Sequence, residues 1–388
     1  MPTIGDVARR AGVSVVTVSR VINGARNVRP VTRQRVEQAI QELGYVPSVA
    51  ARSLRSRRTR SLALVVPDIT NVFWTTVARG VEDAAHRHGY SVLLCNTDES
   101  LSKQSRYLDV VASHRVDGVI IAPCDCDGRN LRRLRDQGIP TVLVDRRVEG
   151  WEVDSVCGDS VAGARALVRH LLALGHQRIA TISGPRSTST AADRVAGYCI
   201  ALAEAGLSAD PRLVRWGEYR AEAGERLCEA LLAEGLAPTA IFAANNVIAM
   251  GVIAALGRRG LSIPRDVALV SFDDLPDASH LFPFLTVAVQ PAHDMGLQAA
   301  ALLLSRLEAP PRLEPRRVVL PVCLIVRRSC GSGGVALSLP LAARAPEQSY
   351  QAPPLTPEER RRYAAWLESP GWGSPDRDGH PFTSAKEV

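Results

Sequence analysis

The sequence predicts an α/β fold that follows a small all-α head. Three observations support this prediction: short helical patterns near the start, strand-like runs that alternate with amphipathic helical runs from Ser61, and the end of this alternation after Cys330. Strands that are apolar throughout are covered on both faces, and such alternation is typical of parallel sheets flanked by helices. The units are too many for one sheet of ordinary size, so we expect two lobes.

The head carries the pattern of a helix-turn-helix. Thr3 can cap a first helix, which Gly12 ends in the left-handed conformation that glycine allows. Ser14 can cap a second helix that stops near Asn23, and a third helix runs from residue 31 or 32 to Leu43. Two short helices joined by a tight glycine turn form a motif that places its second helix in the major groove of DNA.

Positive charge is concentrated in the same segment. Residues 1–60 contain twelve arginines, no lysine and three acidic residues, a net charge of +9, whereas the remaining residues together carry −2. This distribution is typical of a nucleic-acid-binding head on a nearly neutral body. The alternative, a merely solvated basic face, is weakened by the helix-turn-helix pattern in the same residues.

Behind the head we expect strands and helices in alternation. The predicted strands are 62–66, 91–95, 118–122, 141–144, 179–183, 240–244 and 267–272. The predicted helices are 72–88, 103–114, 130–137, 162–174, 194–205, 248–259 and 295–307. The right-handed crossovers of parallel strands then place helices on both faces of each sheet.

The domain boundaries follow from these patterns. They are 1–46 for the helix-turn-helix, 47–60 for a hinge helix and linker, 61–330 for the two lobes and 331–388 for a tail. The tail is rich in Gly, Pro, Ser and Arg, so we expect it to lack a packed fold. A candidate short helix at 357–367, which opens with a capping-box pattern, is the exception.

Several function classes lack their signatures. No apolar run reaches the roughly 18 residues that span a membrane, and the start lacks the basic and apolar regions of a signal peptide. The chain also lacks glycine-rich phosphate loops, a nucleophile elbow and the paired-histidine zinc motif. We therefore expect a cytoplasmic protein, not an enzyme, with no catalytic residues, cofactor or metal.

The cysteines have no metal-binding spacing. They lie at positions 95, 124, 126, 157, 199, 228, 323 and 330, and no CxxC pair occurs. We expect reduced, buried thiols, which is the ordinary state of cytosolic cysteines. A redox or metal role is the alternative.

Ordered motifs occur along the chain. In the head they include Ile4-Gly5-Asp6-Val7-Ala8, Thr17-Val18-Ser19-Arg20 and Ala50-Ala51-Arg52-Ser53-Leu54. In the body they include Gly175-His176-Gln177-Arg178-Ile179, Phe242-Ala243-Ala244-Asn245-Asn246 and Ser271-Phe272-Asp273-Asp274. Together they resemble the lac repressor (LacI/GalR) family of bacterial regulators, from residue 3 to about residue 330.

The resemblance implies a repressor that binds double-stranded operator DNA on the nucleoid. Its effector domain is expected to be built like the two-lobed periplasmic sugar-binding proteins and to form a homodimer. Two-fold symmetry then implies a nearly palindromic operator. A small, sugar-like metabolite is expected to control DNA affinity allosterically.

The second helix of the head is expected to enter the major groove. The expected contacts are Ser14, Val15, Val16, Thr17, Ser19, Arg20 and Asn23. Arg20 can read guanine through two hydrogen bonds, or it can hold a phosphate instead. Val15 and Val16 offer only apolar contact, for instance to thymine methyls, unless the small core of the head partly buries them.

The hinge at 47–60 is expected to contact the minor groove. By resemblance, Leu54 wedges into the groove at the operator centre and kinks it, with Ala51 and Arg55 as neighbouring contacts. Such a helix would order only on DNA. The alternative is that Leu54 belongs to an ordinary linker helix.

The effector is expected between the lobes, near the carboxyl ends of the strands. Sugar-like ligands need aromatic rings for their C–H faces and acids, amides or arginines for their hydroxyls. The candidate residues are Asn71, Phe73, Trp74, Asp145, Arg146, Thr190, Arg194, Tyr219, Asn246, Asp273 and Gln290. By resemblance, Arg194, Asn246 and Asp273 carry over most directly. Thr188 stands where the related purine repressor has an arginine, which argues against a purine effector.

These assignments have alternatives. Phe73 and Trp74 can belong to the lobe core or a dimer surface, and Asp145 can cap a helix. Arg194 and Asp273 can form a structural ion pair. For the whole chain, the rivals are an enzyme with a DNA-binding appendage and a pure solute-binding protein. Missing catalytic motifs argue against the first, and the basic head and absent export signal argue against the second.

Overall fold

The structure is a computed structural model of the 388-residue chain. It describes residues 2–22, 24–25, 27–45, 58–275, 284–308, 314–332 and the backbone of 337–340. The features predicted at Asn23, at Ala51, Leu54 and Arg55 of the hinge, and at 357–367 lie outside the described residues. The chain divides into two compact units, Met1–Ser61 with Arg115–Asp117, and Leu62–His114 with Gly118–Val388.

The first unit contains three helices around a small core. They are α1 (Ile4–Ala11), α2 (Val15–Ile22) and α3 (Pro30–Leu43). Thr3 begins α1 with a reciprocal pair of bonds. Its Oγ1 accepts from the N–H of Asp6 at 3.3 Å, and its own N–H donates to Asp6 Oδ2 at 2.8 Å. Val7, Val18 and Val36, one from each helix, are fully buried, so the helices pack against one another as a helix-turn-helix with a supporting third helix.

The body alternates strands and helices. Its strands are β1 (Ser61–Val66), β2 (Ser91–Asn96), β3 (Gly118–Ile121), β4 (Thr141–Val144), β5 (Asp154–Gly158), β6 (Ile179–Ser183), β7 (Val214–Trp216), β8 (Ala240–Ala243), β9 (Ala268–Phe272), β10 (Thr286–Val289), β11 (Arg317–Leu320), β12 (Cys323–Val326) and β13 (Leu337–Pro340). Its helices are α4 (Val72–Arg87), α5 (Leu101–Ser113), α6 (Arg132–Asp136), α7 (Ser160–Ala173), α8 (Ser189–Glu204), α9 (Ala221–Ala233), α10 (Asn246–Arg258) and α11 (Ala292–Glu308).

The strands form two sheets, which confirms the predicted two-lobed α/β fold. The first lobe has the order β11-β5-β4-β3-β1-β2, and the second has the order β13-β12-β10-β9-β8-β6-β7. Their inner strands pair in parallel, whereas β12 is antiparallel to both of its neighbours. Helices α4 and α11 pack on the first sheet, and α7 to α10 pack on the second.

The chain crosses between the lobes three times. The crossings follow β5, β10 and β11. They lie side by side, because a Cβ on Gly158 would be 2.2 Å from Gln290 Oε1 and the N–H of Asp159 donates to the carbonyl of Leu320 at 3.0 Å. The three crossings therefore form one hinge region.

Helices α4 and α11 approach each other through glycines. A Cβ on Gly80 would lie 2.1 Å from the carbonyl oxygen of His293, and a Cβ on Gly296 would lie 2.1 Å from that of Val77. Real side chains do not tolerate such distances from backbone atoms. These two positions therefore require glycine for the close packing that holds α11 on the first lobe.

The structure adds elements that the sequence pattern did not predict. They are β5, β7, β10 to β13 and α9. β5 combines one valine with Asp, Ser, Cys and Gly, so its composition does not favour a strand. Helix α8 begins at Ser189, five residues before its predicted start, so Thr190 lies in its first turn and not in a loop.

The expectation of an unpacked tail is wrong at residues 337–340. This segment forms β13, which pairs antiparallel with β12 at the edge of the second sheet. An edge strand tolerates a proline at its end, since the outer side of the strand needs no donor. The compositional signal of disorder therefore concealed a short strand.

Candidate nucleic-acid interface and ligand cavity

Helix α2 of the head presents a mixed outer face. Val18 and Val21 are buried, whereas Arg20 is exposed and the side chains of Val15 and Val16 are 46% and 54% exposed. This exposure disfavours the alternative in which the small core partly buries Val15 and Val16. The helix offers a partner two adjacent apolar groups and one cation.

Ser14 begins this helix as predicted. Its hydroxyl oxygen accepts from the N–H of Thr17 at 3.2 Å, and its carbonyl accepts from the N–H of Val18 at 3.1 Å. Thr17 and Ser19 are half-buried. The first turn has no acidic residue, so its free backbone N–H groups remain favourable for a phosphate.

A cavity of about 410 Å³, measured with its open mouth, lies between the two lobes. Ten of the eleven side chains predicted to bind an effector line it: Asn71, Phe73, Trp74, Asp145, Arg146, Thr190, Arg194, Tyr219, Asn246 and Asp273. The structure thus brings the predicted residues of both lobes together, and their role in binding stays a prediction.

Asn71 and Asn246 join the two lobes at the cavity. Asn71 precedes α4, and its Oδ1 accepts from the N–H of Phe73 at 3.0 Å. The Nδ2 of each asparagine donates to the Oδ1 of the other at 3.1 Å. Asn246 also donates to the carbonyl of Asp274 at 2.9 Å. A pair of side-chain amides therefore bridges the cavity walls.

Aromatic rings from both lobes face the cavity. Phe73 and Trp74 pack edge to face with centroids 4.9 Å apart, and both also belong to the core of the first lobe. The core alternative for these two residues is thus compatible with a place in the wall. From the second lobe, the hydroxyl of Tyr219 lies 3.1 Å from that of Thr190, and its ring lies 5.4 Å from the guanidinium carbon of Arg146.

Asp145 and Asp273 occupy equivalent places in the two lobes. Each follows a strand with a positive φ, +63° and +60°, and each backbone N–H donates at 2.8 Å to a carbonyl of the neighbouring strand. This conformation costs energy in a residue with a side chain and is concentrated at functional sites. Burial raises the pKa of both carboxyls, that of Asp273 to about 6, while the charge of Arg194 opposes the shift. Among the described helices, none is capped by Asp145.

The two arginines of the cavity have different partners. Arg146 donates through Nη1 and Nη2 to the two carboxylate oxygens of Glu99, at 2.7 and 2.6 Å. Arg194 donates through Nη1 to the carbonyl of Ala244 at 2.7 Å, and its guanidinium carbon lies 3.8 Å from the ring centroid of Phe272. Only Arg146 is therefore held by a direct carboxylate pair.

Gln290 contacts the cavity through Asp273 and does not line it. Its backbone N–H and its Nε2 donate to the two carboxylate oxygens of Asp273, at 3.2 and 3.0 Å. Within the described chain, Arg194 and Asp273 do not form the direct ion pair that was the alternative for them. Gln290 lies at the second crossing between the lobes, so it links this carboxylate to the hinge.

Three wall residues are absent from the sequence prediction: Asp68, Glu99 and Asn245. Asp68 and Glu99 follow β1 and β2, which is the position that selected the other candidates. Asn245 stands next to the predicted Asn246, and its Oδ1 caps α10 by accepting from the N–H of Ile248 at 2.8 Å. Candidates were sought among the polar residues that follow predicted strands. The same search after β1 and β2 would have found Asp68 and Glu99.

Other kinds of site find no support in the described part of the chain. It contains no cluster of three His, Cys, Asp or Glu side chains that can hold a metal ion. None of its helices is long and apolar enough to cross a membrane. All eight cysteines are free thiols.

Family profiles match most of the chain. One that describes periplasmic binding proteins and the sugar binding domain of the LacI family matches residues 59–327. Another, for bacterial regulatory proteins of the lacI family, matches residues 3–48. The two matches correspond to the body and the head described above.

Two related proteins and one solved structure are similar to most of the chain. The ribose operon repressor of Halalkalibacterium halodurans is 37% identical over 333 residues, 86% of this chain and 98% of the relative. The transcriptional repressor PurR of Vibrio atlanticus is 35% identical over 310 residues, 79% of this chain and 92% of the relative. The solved lac repressor dimer bound to operator and the anti-inducer ONPF is 28% identical with a TM-score of 0.74, covering 85% and 99% of the two chains. The chain therefore belongs to the LacI family of bacterial regulatory proteins, and it is a DNA-binding transcription regulator whose body is a ligand-binding domain of the sugar-binding type.

Proposed function

We propose that this chain represses transcription as a homodimer on a nearly palindromic operator, and that a small sugar or sugar derivative in the cavity controls its affinity for DNA. The observation that carries the proposal is the cavity, where both lobes supply carboxylates, amides, arginines and aromatic rings to one space. Such a lining suits a ligand with hydroxyl groups and apolar C–H faces. The similarity to a ribose operon repressor supports a sugar effector.

The head supplies the proposed contacts to the operator. On and beside α2 they are Ser14, Val15, Val16, Thr17, Ser19, Arg20 and Asn23. In the hinge they are Ala51, Leu54 and Arg55, with Leu54 as the minor-groove wedge. The exposure of Val15, Val16 and Arg20 supports contact with base edges, while the helix start at Ser14 suits a phosphate.

Exposed apolar side chains support the homodimer. β2 lies at the edge of the six-stranded sheet, and its Leu93 and Leu94 are exposed. Val72 at the start of α4 and Leu101 at the start of α5 are also exposed. Proteins rarely leave an apolar strand edge uncovered, because it invites uncontrolled association. A second copy of the chain is the proposed cover, in line with the dimer of the similar lac repressor.

The effector contacts are proposed to be the ten wall residues named above, with Gln290 acting through Asp273. We infer no enzymatic role, because the relatives are regulators. A bacterial regulator of this class works on chromosomal DNA, so we place the chain in the cytoplasm, bound to the nucleoid.

Sequencing of the genomic fragments that the full chain retains tests the DNA-binding part of the proposal. We expect enrichment of one nearly palindromic sequence, with affinity that falls steeply as salt rises, since bound phosphates release counterions. Arg20→Ala should weaken binding to that sequence, whereas Arg212→Ala, at an exposed arginine of the second lobe, should not. Affinity that is indifferent to salt, or no enriched sequence, contradicts the proposal.

A ligand screen tests the regulatory part. A sugar that raises the melting temperature of the full chain should change its operator affinity roughly 5- to 150-fold, the usual range of coupling between sites. Asn246→Ala should weaken the effect of the sugar on the melting temperature. A sugar that changes DNA binding equally in the wild type and in this variant would place the effector outside the cavity.

A further inference from the structure

A cysteine of the second lobe lies among polar atoms at the end of β10 that is opposite to the cavity. Cys330 follows β12. Its Sγ lies 3.2 Å from each of three possible donors, His170 Nε2, Thr286 Oγ1 and Ser332 Oγ. The carbonyl oxygen of Arg327 lies 3.3 Å from the same sulfur. His170 comes from α7 and Thr286 begins β10, so separate parts of the lobe converge on one sulfur that the proposed function does not use.

Donors outnumber acceptors in this cluster when Cys330 is a neutral thiol. Three groups can donate to the carbonyl of Arg327: the hydroxyl of Ser332 at 2.9 Å, the hydroxyl of Thr286 at 3.1 Å and the thiol at 3.3 Å. A carbonyl oxygen has only two lone pairs with which to accept them. If the thiol proton moves to His170, one competing donor disappears and the sulfur becomes an acceptor. The contacts therefore favour a thiolate beside an imidazolium.

The electrostatics of the cluster agree with its geometry. Burial opposes ionisation of Cys330, but hydrogen bonds from His170, Ser332 and Thr286 outweigh it and lower the pKa of the thiol to about 6. Of the side chains that the described chain brings into hydrogen-bond contact with the sulfur, His170 is the one that can exchange a proton with it at neutral pH. The thiolate form therefore depends on this histidine.

The neighbouring arginines do not supply the positive charge. The guanidinium group of Arg327 turns away from the sulfur and donates to the two carboxylate oxygens of Asp274, at 2.9 and 2.6 Å. The side chain of Arg328 is exposed. The imidazole of His170 is therefore the group that stabilises a negative sulfur at this place.

The sulfur lies close to the surface, although Cys330 itself is fully buried. His170 and Ser332, both in contact with the sulfur, are partly exposed. The hydroxyl of Ser332 is held by the carbonyl of Arg327, a bond that rotation of one small side chain breaks. We expect a small, uncharged reagent to reach the sulfur when Ser332 turns away.

We propose that Cys330 is a site of reversible oxidation by hydrogen peroxide, with His170 as its proton donor. The thiolate attacks one oxygen of the peroxide, so that an S–O bond forms and the O–O bond breaks. The leaving hydroxide takes the proton of the His170 imidazolium and departs as water. The sulfur is oxidised to a sulfenic acid while the peroxide is reduced, and two equivalents of a thiol reductant restore the cysteine with release of water.

Competition among the cysteines of the reduced full chain tests the proposal. The chain is treated with one equivalent of hydrogen peroxide at pH 7 in the presence of dimedone, which traps sulfenic acids, and each cysteine peptide is quantified by mass spectrometry. Cys228 is the buried control, and burial raises its pKa to about 12. Cys126 is the more accessible control, because it is half-buried, and its pKa is also raised by burial.

We expect Cys330 to be labelled at least about 5-fold faster than either control. At pH 7 a thiol of pKa about 6 is mostly thiolate, whereas one of pKa above 9 is less than about 1% thiolate, and the lower nucleophilicity of the first offsets only part of this difference. Labelling of Cys126 or Cys228 as fast as Cys330 overturns the proposal, and so does an unlabelled Cys330.

The variant His170→Gln separates the imidazole from the burial of the sulfur. Glutamine can still donate a hydrogen bond, but it cannot take the thiol proton. We expect the labelling of Cys330 at pH 7 to fall at least about 5-fold, and the pH midpoint of its reaction with peroxide to rise from about 6 to above 8. The matched control is His176→Gln, at a half-buried histidine that contacts Thr239, and it should change neither quantity.

An unchanged rate and midpoint in folded His170→Gln, verified by circular dichroism, overturn the role of this histidine. If the variant does not fold, the pH profile of the wild type decides. A midpoint near 6 for Cys330 supports the thiolate, and a midpoint above 8 overturns it.

Discussion

Asn71 and Asn246 exchange two hydrogen bonds through their side-chain amides, each Nδ2 lying 3.1 Å from the Oδ1 of the other. The two residues come from different lobes and stand at the starts of α4 and α10. Hydroxyl groups can replace either amide as donor and as acceptor. The pair is therefore a latch between the lobes that a polyol can open without leaving a polar group unsatisfied.

A double-mutant cycle on this latch measures its strength. Asn71→Ala also removes the cap of α4, so the single variant overstates the contact between the two asparagines. The cycle of Asn71→Ala, Asn246→Ala and the double variant cancels that loss. We expect a coupling of about 1 kcal/mol in the free energy of unfolding by urea, the usual net value of a hydrogen bond. Strictly additive variants would show that the latch does not stabilise the fold.

Gly80→Ala is expected to destabilise the first lobe strongly. The new methyl group would meet the backbone of α11, which cannot move without repacking the core. We expect a loss of about 1–3 kcal/mol in the free energy of unfolding, the range for overpacking. Gly257→Ala is the matched control, because this helical glycine has nothing within 4 Å of its added Cβ. That variant should be neutral or stabilising by up to about 1 kcal/mol. Equal effects at both positions would contradict the packing described here.

The stability of the chain should depend on pH through Asp273. Burial raises the pKa of this carboxyl from 3.8 to about 6, so the folded state binds more protons than the unfolded state between these values. The contribution of Asp273 to the free energy of unfolding is fully present below pH 3.8. It is lost as pH rises through 6, because the buried carboxyl group must then ionise. Asp273→Asn should therefore raise the melting temperature at pH 7.5 and flatten the curve between pH 4 and 6.

The amide of Gln290 makes this variant tolerable. In the wild type, Gln290 donates to Asp273 through Nε2, and its Oε1 has no partner. If the amide of Gln290 flips, its Oε1 can accept from the Nδ2 of the new asparagine. The control Asp210→Asn should show the opposite sign, since Arg212 lowers the pKa of Asp210. The prediction is refuted if the melting temperatures of Asp273→Asn and of the wild type change with pH in the same way across this range.

Val15 and Val16 should contribute to operator choice through apolar contact. We expect Val15→Ser or Val16→Ser to lose about 0.8 kcal/mol of binding free energy for each methyl contact with thymine, roughly fourfold in affinity. Replacing that thymine with uracil, which lacks the methyl group, should weaken operator binding by the wild type. It should leave operator binding unchanged in the variant that has serine in place of the contacting valine. Val31→Ser, at a valine of α3 that is 70% exposed, is the control. A uracil operator that the wild type binds as well as the thymine operator argues against methyl recognition.

The cavity could be predicted from the sequence better than the sheets could. Asp145 and Asp273 follow strongly apolar strands, so the sequence alone placed each aspartate at the carboxyl end of a strand. Parallel strands bring their carboxyl ends to one edge of the sheet. The pairing partners of these strands were harder to find. β5 is built from Asp, Ser, Val, Cys and Gly, and only its neighbours β4 and β11 make it a strand. Tertiary context decided such elements, and composition did not.

Electrostatic pairing was also hidden from the sequence. Glu99 is far from Arg146 along the chain, and nothing in its local pattern indicates that it neutralises this arginine. Arg194 and Asp273 lie close enough to interact, yet Ala244 and Gln290 are their actual hydrogen-bond partners. Residue types after strands predicted which groups meet. Which of them pair depends on the exact positions of the side chains in the fold, which no sequence pattern encodes.

The three adjacent crossings between the lobes limit how a ligand can signal. Gly158 abuts Gln290, and the N–H of Asp159 donates to the carbonyl of Leu320. Because these contacts hold the three crossings together, we expect a change of hinge angle to bend them as a group. We therefore expect a ligand in the body to affect the head through a single variable, the hinge angle between the two lobes. A molecule that fills the cavity without changing the hinge angle would leave operator affinity unchanged. It would act as an antagonist of any effector that does change the hinge angle.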